Sequence, residues 1–127
     1  MKAKILIIED NDQNLYMETF LLEKKGYEVV AARDGSEGLE LAGRVEPALI
    51  VLDILLPNID GHEVARQLKQ RPDTRDIPIV AVTSYAMNEE RDKILATGCE
   101  GYIEKPINPN TFVSELERYM IALPPPN

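Results

Sequence analysis

Five short apolar runs recur along the chain, each followed by a longer stretch with helical spacing. The candidate strands are residues 4–9, 28–32, 48–53, 78–83 and 100–104, most of them rich in Ile, Val and Leu. The first, third and fourth are apolar almost throughout, as strands buried on both faces of a parallel sheet must be. The fifth, Glu100-Gly101-Tyr102-Ile103-Glu104, is more polar and suits a sheet edge.

Helix signals fill the gaps. Asn11 or Asp12 can cap a helix running to about Lys25, with Gly26 ending it. Its apolar residues, Leu15, Tyr16, Met17, Phe20, Leu21 and Leu22, exceed what one buried stripe requires; most are expected in the core. Asp34 or Ser36 opens a second helix carrying Leu39 and Leu41, and Asp60 caps a third with Val64 and Leu68 four apart. A fourth begins near Asn88 and carries Ile94 and Leu95 before Gly98. The fifth has Asn108 as cap and Pro109 at its first position, where the missing N–H costs nothing. Its apolar face is Phe112, Val113, Leu116 and Met120. Strands alternating with helices imply right-handed crossovers and a sheet covered on both sides. The expected architecture is α/β: a five-stranded parallel (βα)5 sandwich of order 2-1-3-4-5, with a switch point between strands one and three.

At 127 residues the chain is one domain's worth. Residues 1–122 are expected to form it, and 123–127 a short proline-rich tail. A net charge of −8 argues against nucleic acid, whose phosphates call for Lys and Arg. No apolar stretch suits a signal peptide or a membrane span, so the cytoplasm is the expected compartment and membrane insertion is not expected. The single cysteine, Cys99, reads as a small buried thiol, and the single histidine, His62, as a solvated surface residue.

The chemistry gathers where the strands end. Glu9-Asp10 follow the first, Asp53 ends the third, Thr83 ends the fourth and Lys105 follows the fifth. In a parallel sheet of this order they meet at the carboxyl edge, where open α/β sheets bind ligands. Two carboxylates about 4 Å apart repel by roughly 4 kcal/mol at an effective dielectric near 20, so such a cluster takes up protons or recruits a cation. Oxygen ligands favour Mg2+, with Mn2+ as the alternative, and the absence of a Cys/His cluster argues against zinc. Asp53 can then act as a nucleophile on a phosphoryl group, with Lys105 and the Thr83 hydroxyl binding that group's oxygens.

Ile8-Glu9-Asp10-Asn11, Leu52-Asp53 with Leu56-Pro57-Asn58-Ile59-Asp60-Gly61, Val82-Thr83-Ser84 and Gly101-Tyr102-Ile103-Glu104-Lys105-Pro106 stand in this order across residues 4 to about 121. With them the chain resembles the receiver domain of two-component response regulators, and within that family the small single-domain regulators of the DivK type. The resemblance implies the flavodoxin-like or CheY-like sandwich, with Asp53 as phosphoacceptor and metal ligand. It implies Asp10 as a direct metal ligand, Glu9 as one acting largely through water, and the backbone carbonyl of Leu55 as the remaining protein ligand. Thr83 moves toward the phosphoryl group, Lys105 pairs with it, Tyr102 is the aromatic switch, and Lys105–Pro106 is a cis peptide. The implied partners are a sensor histidine kinase or a histidine phosphotransfer protein, and a downstream protein target. A minority of the first helix's apolar residues resembles the family's kinase-docking surface. The expected output is a changed surface on helix four, strand five and helix five, and the expected catalysis is limited to the chain's own phosphorylation and dephosphorylation.

Ser84 departs from the family pattern, in which a smaller alanine is frequent. Leu55 and Tyr85, two residues beyond Asp53 and Thr83, flank the path of an attacking water in the family; both are bulky here, so slow self-dephosphorylation is expected. Two competing readings stand beside this one. A haloacid-dehalogenase-like phosphatase would use Asp10-Asn11-Asp12 as its nucleophile motif, but leaves Asp53 unexplained. A flavodoxin-like cofactor binder would need a Ser/Thr/Gly-rich loop after the first strand, where Asn11-Asp12-Gln13-Asn14 instead repels phosphate.

Overall fold

A computed structural model describes residues 3–84 and 87–121. Strands and helices alternate in the order β1 (Lys4–Ile8), α1 (Asp12–Lys24), β2 (Glu28–Ala32), α2 (Gly35–Val45), β3 (Leu49–Asp53), α3 (Gly61–Gln70), β4 (Ile79–Thr83), α4 (Asn88–Ala96), β5 (Gly101–Glu104) and α5 (Phe112–Ile121). All neighbouring strands pair in parallel, in the order β2-β1-β3-β4-β5. Non-consecutive strands β1 and β3 are therefore neighbours, with Ile8 opposite Leu52.

Successive side chains of a strand point to opposite faces, and this splits the core in two. Leu6, Ile8, Ile50, Leu52, Ile79 and Ala81 pack with Leu39 and Ala42 of α2, Val64, Ala65 and Leu68 of α3, and Ile94 of α4. Ile5, Ile7, Leu49, Val51, Val80 and Val82 face the other way, toward Leu22 of α1 and Phe112 and Leu116 of α5. Every residue of β3 and β4 is buried, which accounts for their unbroken apolar sequence.

The helix starts follow from local chemistry. Asn11 accepts from the Asn14 N–H, Asp34 from the Glu37 N–H and Asp60 from the His62 N–H. Gly26, at φ +103°, adopts the left-handed backbone that closes α1. The fifth helix differs from expectation. Pro109, Asn110 and Thr111 form a turn under the Asn108 carboxamide, which accepts from the Asn110 N–H, and the regular helix begins only at Phe112. The first helix sends most of its apolar residues to the core, as its sequence leads one to expect. Leu22 is its buried apolar residue, Leu15, Met17 and Leu21 are partly buried, and Tyr16 and Phe20 face solvent. Glu18 takes an interior place that the apolar count alone does not reveal. The tail expected at 123–127 lies outside the described residues.

Candidate phosphoacceptor site

The parallel register brings the strand ends together. Ile8 lies opposite Leu52, so the residues that follow each, Glu9 and Asp53, sit side by side. The Glu9 N–H bonds the Ala32 carbonyl at 2.9 Å, extending the ladder one residue past β1. Asp53 lies opposite Val82, and the Lys105 N–H bonds the Thr83 carbonyl at 2.8 Å. One carboxylate oxygen from each of Glu9, Asp10 and Asp53 lies within 4.8 Å of the other two. Glu9 and Asp53 are buried at 1% and 4% exposure, while Asp10 is open to solvent. Thr83 is buried beside them.

The Lys105 ammonium sits between two of the carboxylates, 3.4 Å from Asp53 Oδ1 and 3.5 Å from Glu9 Oε1. The Leu55 N–H donates to Asp53 Oδ1 at 3.1 Å, and the Asn11 N–H to Glu9 Oε2 at 3.2 Å. Glu9 Oε1 is buried without a hydrogen bond. Burial, reinforced by the Asp53 carboxylate, pushes the Glu9 carboxyl up to about 7 against the opposing pull of the Asn11 N–H and Lys105. Burial disfavours charge on Lys105, but Asp53 and Glu9 outweigh it and hold the ammonium above the ordinary lysine value. Three converging carboxylates and a donor set made only of oxygen fit a hard divalent cation.

The loop after β3 is built against this cluster. Gly61 opens α3 directly over the strand end, where a Cβ would fall 2.6 Å from Ile54 Cα and 2.7 Å from the Asp53 carbonyl oxygen. Its N–H donates to the Ile54 carbonyl at 3.0 Å, and only glycine allows so close an approach. Asn58 takes a left-handed backbone at φ 70° in the same loop. A cavity of about 410 Å³ lies between this loop and the start of α4, lined in part by Leu55, Leu56, Asn58, His62, Thr83 and Glu90. Leu55 is 60% exposed at the site, and Ser84 is exposed; Tyr85 lies outside the described residues. The Lys105–Pro106 peptide is cis. Tyr102 is half-buried on β5, and its hydroxyl accepts from Arg91 Nη1 at 3.0 Å.

Two features stand outside what the apolar pattern picks out. His62 is not a solvated residue: its side chain is 17% exposed, with Nδ1 2.8 Å from Asp60 and Nε2 3.1 Å from the Glu90 carboxylate. The Glu90 contact is a close approach without an aligned hydrogen bond. Glu18, 1% exposed, carries a buried oxygen without a hydrogen bond. Burial above all, then the charges of Glu9 and Asp53, push its carboxyl up to about 8, with Lys105 pulling the other way. A signal for Glu18 does exist, since it falls three residues after Leu15 and four before Leu22, on the inward stripe. Cys99 is buried with its thiol pushed up, chiefly by that burial, as expected of an inert cysteine.

The response regulator receiver domain model matches residues 5–117 of this chain. The chain belongs to the response regulator receiver family. It is 40% identical over 120 residues to the polar-differentiation response regulators DivK of Brucella anthropi and Brucella ovis, which spans 94% of this chain and 98% of each relative. Among solved structures it superposes on the chemotaxis protein CheY4 of Vibrio cholerae with a TM-score of 0.89 at 29% identity, covering 94% of this chain and 99% of that one. It also superposes on the receiver domain of a sensor histidine kinase from Pseudomonas aeruginosa, solved with a magnesium ion coordinated in the active site cleft, with a TM-score of 0.87 at 29% identity, covering 94% of this chain and 98% of that one. This receiver is thus a signalling module that accepts a phosphoryl group in two-component signalling. Membership displaces the phosphatase and flavodoxin readings. Among the described residues no helix is long and apolar enough to cross a membrane.

Proposed function

We propose that Asp53 is the phosphoacceptor, and that Glu9, Asp10, Asp53 and the backbone carbonyl of Leu55 hold Mg2+, with Mn2+ as a substitute. The observation that carries this reading is the meeting of three carboxylates within 4.8 Å with the Lys105 ammonium 3.4 Å from Asp53. When bound, the cation supplies charge neutralisation at the transferring phosphoryl oxygens. The residues do the rest. An Asp53 carboxylate oxygen attacks phosphorus, the phosphorus–nitrogen bond of a donor phosphohistidine breaks, and the imidazole leaves with that bond's electron pair. The Leu55 N–H aims Asp53 by bonding Oδ1. The Lys105 ammonium, already charged in this setting, binds a phosphoryl oxygen, and the buried Thr83 hydroxyl binds another. Tyr102 then follows Thr83 inward as the aromatic switch, and the surface of α4, β5 and α5 changes.

The chain catalyses its own phosphorylation and dephosphorylation and nothing further. Its donor is a sensor histidine kinase or a histidine phosphotransfer protein, and the exposed Tyr16 and Phe20 of α1 are the apolar contacts offered to it. A downstream protein reads the altered face. The working compartment is the cytoplasm, and residues 1–122 are the functional unit. Incubation with phosphoramidate and Mg2+ followed by intact-mass measurement tests the assignment. One phosphoryl group is expected on the parent, and none after EDTA or on Asp53→Asn. Full phosphorylation of Asp53→Asn would overturn it.

A further inference from the structure

Two consecutive residues in the first turn of α4 reach in opposite directions. Glu90 extends toward the start of α3, where His62 Nε2 lies 3.1 Å away and His62 is itself held by Asp60 at 2.8 Å. Arg91 extends toward β5, donates to the Tyr102 hydroxyl at 3.0 Å and places its guanidinium 5.9 Å from the Tyr102 ring centre. Arg91 also bonds Asn88 within its own helix, which orders the guanidinium. The turn is thereby tied on both sides, immediately downstream of the segment that leaves Thr83.

These ties matter because little else anchors α4. Ile94 is its buried side chain, whereas α3 buries Val64, Ala65 and Leu68. Its N-cap, Met87, supplies no side-chain hydrogen bond, in contrast to the caps of α1, α2 and α3. A helix with few apolar anchors takes its position from its polar ones. Glu90, His62 and Thr83 also line one cavity, so the His62–Glu90 contact is part of the same enclosure as the switch hydroxyl.

We propose that Glu90 and Arg91 brace α4 and Tyr102 in the resting arrangement, and that loosening the brace favours the phosphorylated one. This rests on the function proposed above. Tyr102 cannot turn toward Thr83 without giving up the Arg91 hydrogen bond, and α4 cannot shift without separating Glu90 from His62. Each contact present in one arrangement and lost in the other biases the equilibrium between them. His62, Glu90 and Arg91 are positioning residues; none touches the phosphoryl group.

The test is the Mg2+-dependent affinity for beryllofluoride, a non-covalent phosphoryl stand-in, together with the rate of phosphorylation by phosphoramidate. Arg91→Ala and Glu90→Ala are each expected to tighten beryllofluoride binding roughly threefold, and the double variant about tenfold, as contacts at half-exposed side chains allow. In a Tyr102→Phe background, which lacks the hydroxyl, Arg91→Ala should have a clearly smaller effect. Amide exchange across 88–96 should quicken in the unphosphorylated variants while that of α3 stays unchanged. Thermal melts of all variants separate these effects from general destabilisation. Unchanged or weaker beryllofluoride binding in both single variants, alongside a parent that is phosphorylated normally, overturns the brace alone. A parent that takes no phosphoryl group overturns the function and the brace together.

Discussion

Asp53, Glu18 and Leu55 show how far its surroundings change what a residue can do. Asp53 and Glu18 are both carboxylates inside the protein, but Asp53 faces Lys105 and a backbone N–H, while Glu18 has a buried oxygen with no hydrogen-bond partner. The Glu18 carboxyl, pushed up to about 8 from an ordinary value of 4.5, stays protonated in the folded protein when the unfolded chain has already ionised. Its contribution to stability is whole below about pH 4.5 and is lost as pH rises through about 8. Glu18→Gln removes that loss. The variant is expected to match the parent at pH 5 and exceed it by about 2 kcal/mol at pH 8.5, measured by urea unfolding at both values. Leu55 stands 60% exposed at the site, and on the proposed function its bulk would stand in the path of an attacking water. The phosphorylated parent is therefore expected to decay several-fold more slowly than a Leu55→Asn, Tyr85→Ala variant, followed by loss of the phosphorylated mass with time; equal decay would remove the steric explanation.

At the scale of elements, the junction of β3 with α3 is the tightest point of the fold. Gly61 brings the start of α3 against the backbone of Asp53 and Ile54, and Asp60 caps the helix from the preceding position. A methyl group at position 61 must push backbone rather than a flexible side chain. Gly61→Ala is expected to cost about 2–3 kcal/mol in denaturant unfolding. Because the displaced backbone carries Asp53, it should also slow phosphorylation by phosphoramidate more than a core truncation of equal cost, such as one at Leu68. Helix α4 lies at the other extreme, with Ile94 as its apolar anchor and polar contacts on both flanks.

Taken whole, the molecule is a five-stranded sheet between two apolar layers, with three carboxylates gathered at one edge. A net charge of −8 and a carboxylate cluster mean that a bound divalent cation relieves repulsion as well as organising chemistry. Mg2+ at about ten times its dissociation constant is expected to stabilise the parent by roughly 1.4 kcal/mol. The check is a melt with MgCl2 against NaCl of equal ionic strength; a similar gain in an Asp10→Asn, Asp53→Asn variant would show the ion to act elsewhere. Strand positions, sheet order and the strand ends that carry Glu9, Asp10, Asp53, Thr83 and Lys105 were legible in the chain, because short apolar runs and βα alternation leave few topologies open. The start of α5 was less so, since Pro109 is acceptable both in a helix's first turn and in the turn before it. What the amino-acid order by itself determined was thus the scaffold and the identity of the groups at its edge. Only the tertiary structure decided that His62 is held between two carboxylates, that Glu18 is sealed inside, and that Arg91 reaches Tyr102. Local pattern governs which face of an element turns inward, whereas a contact between side chains distant in sequence depends on where whole elements come to rest.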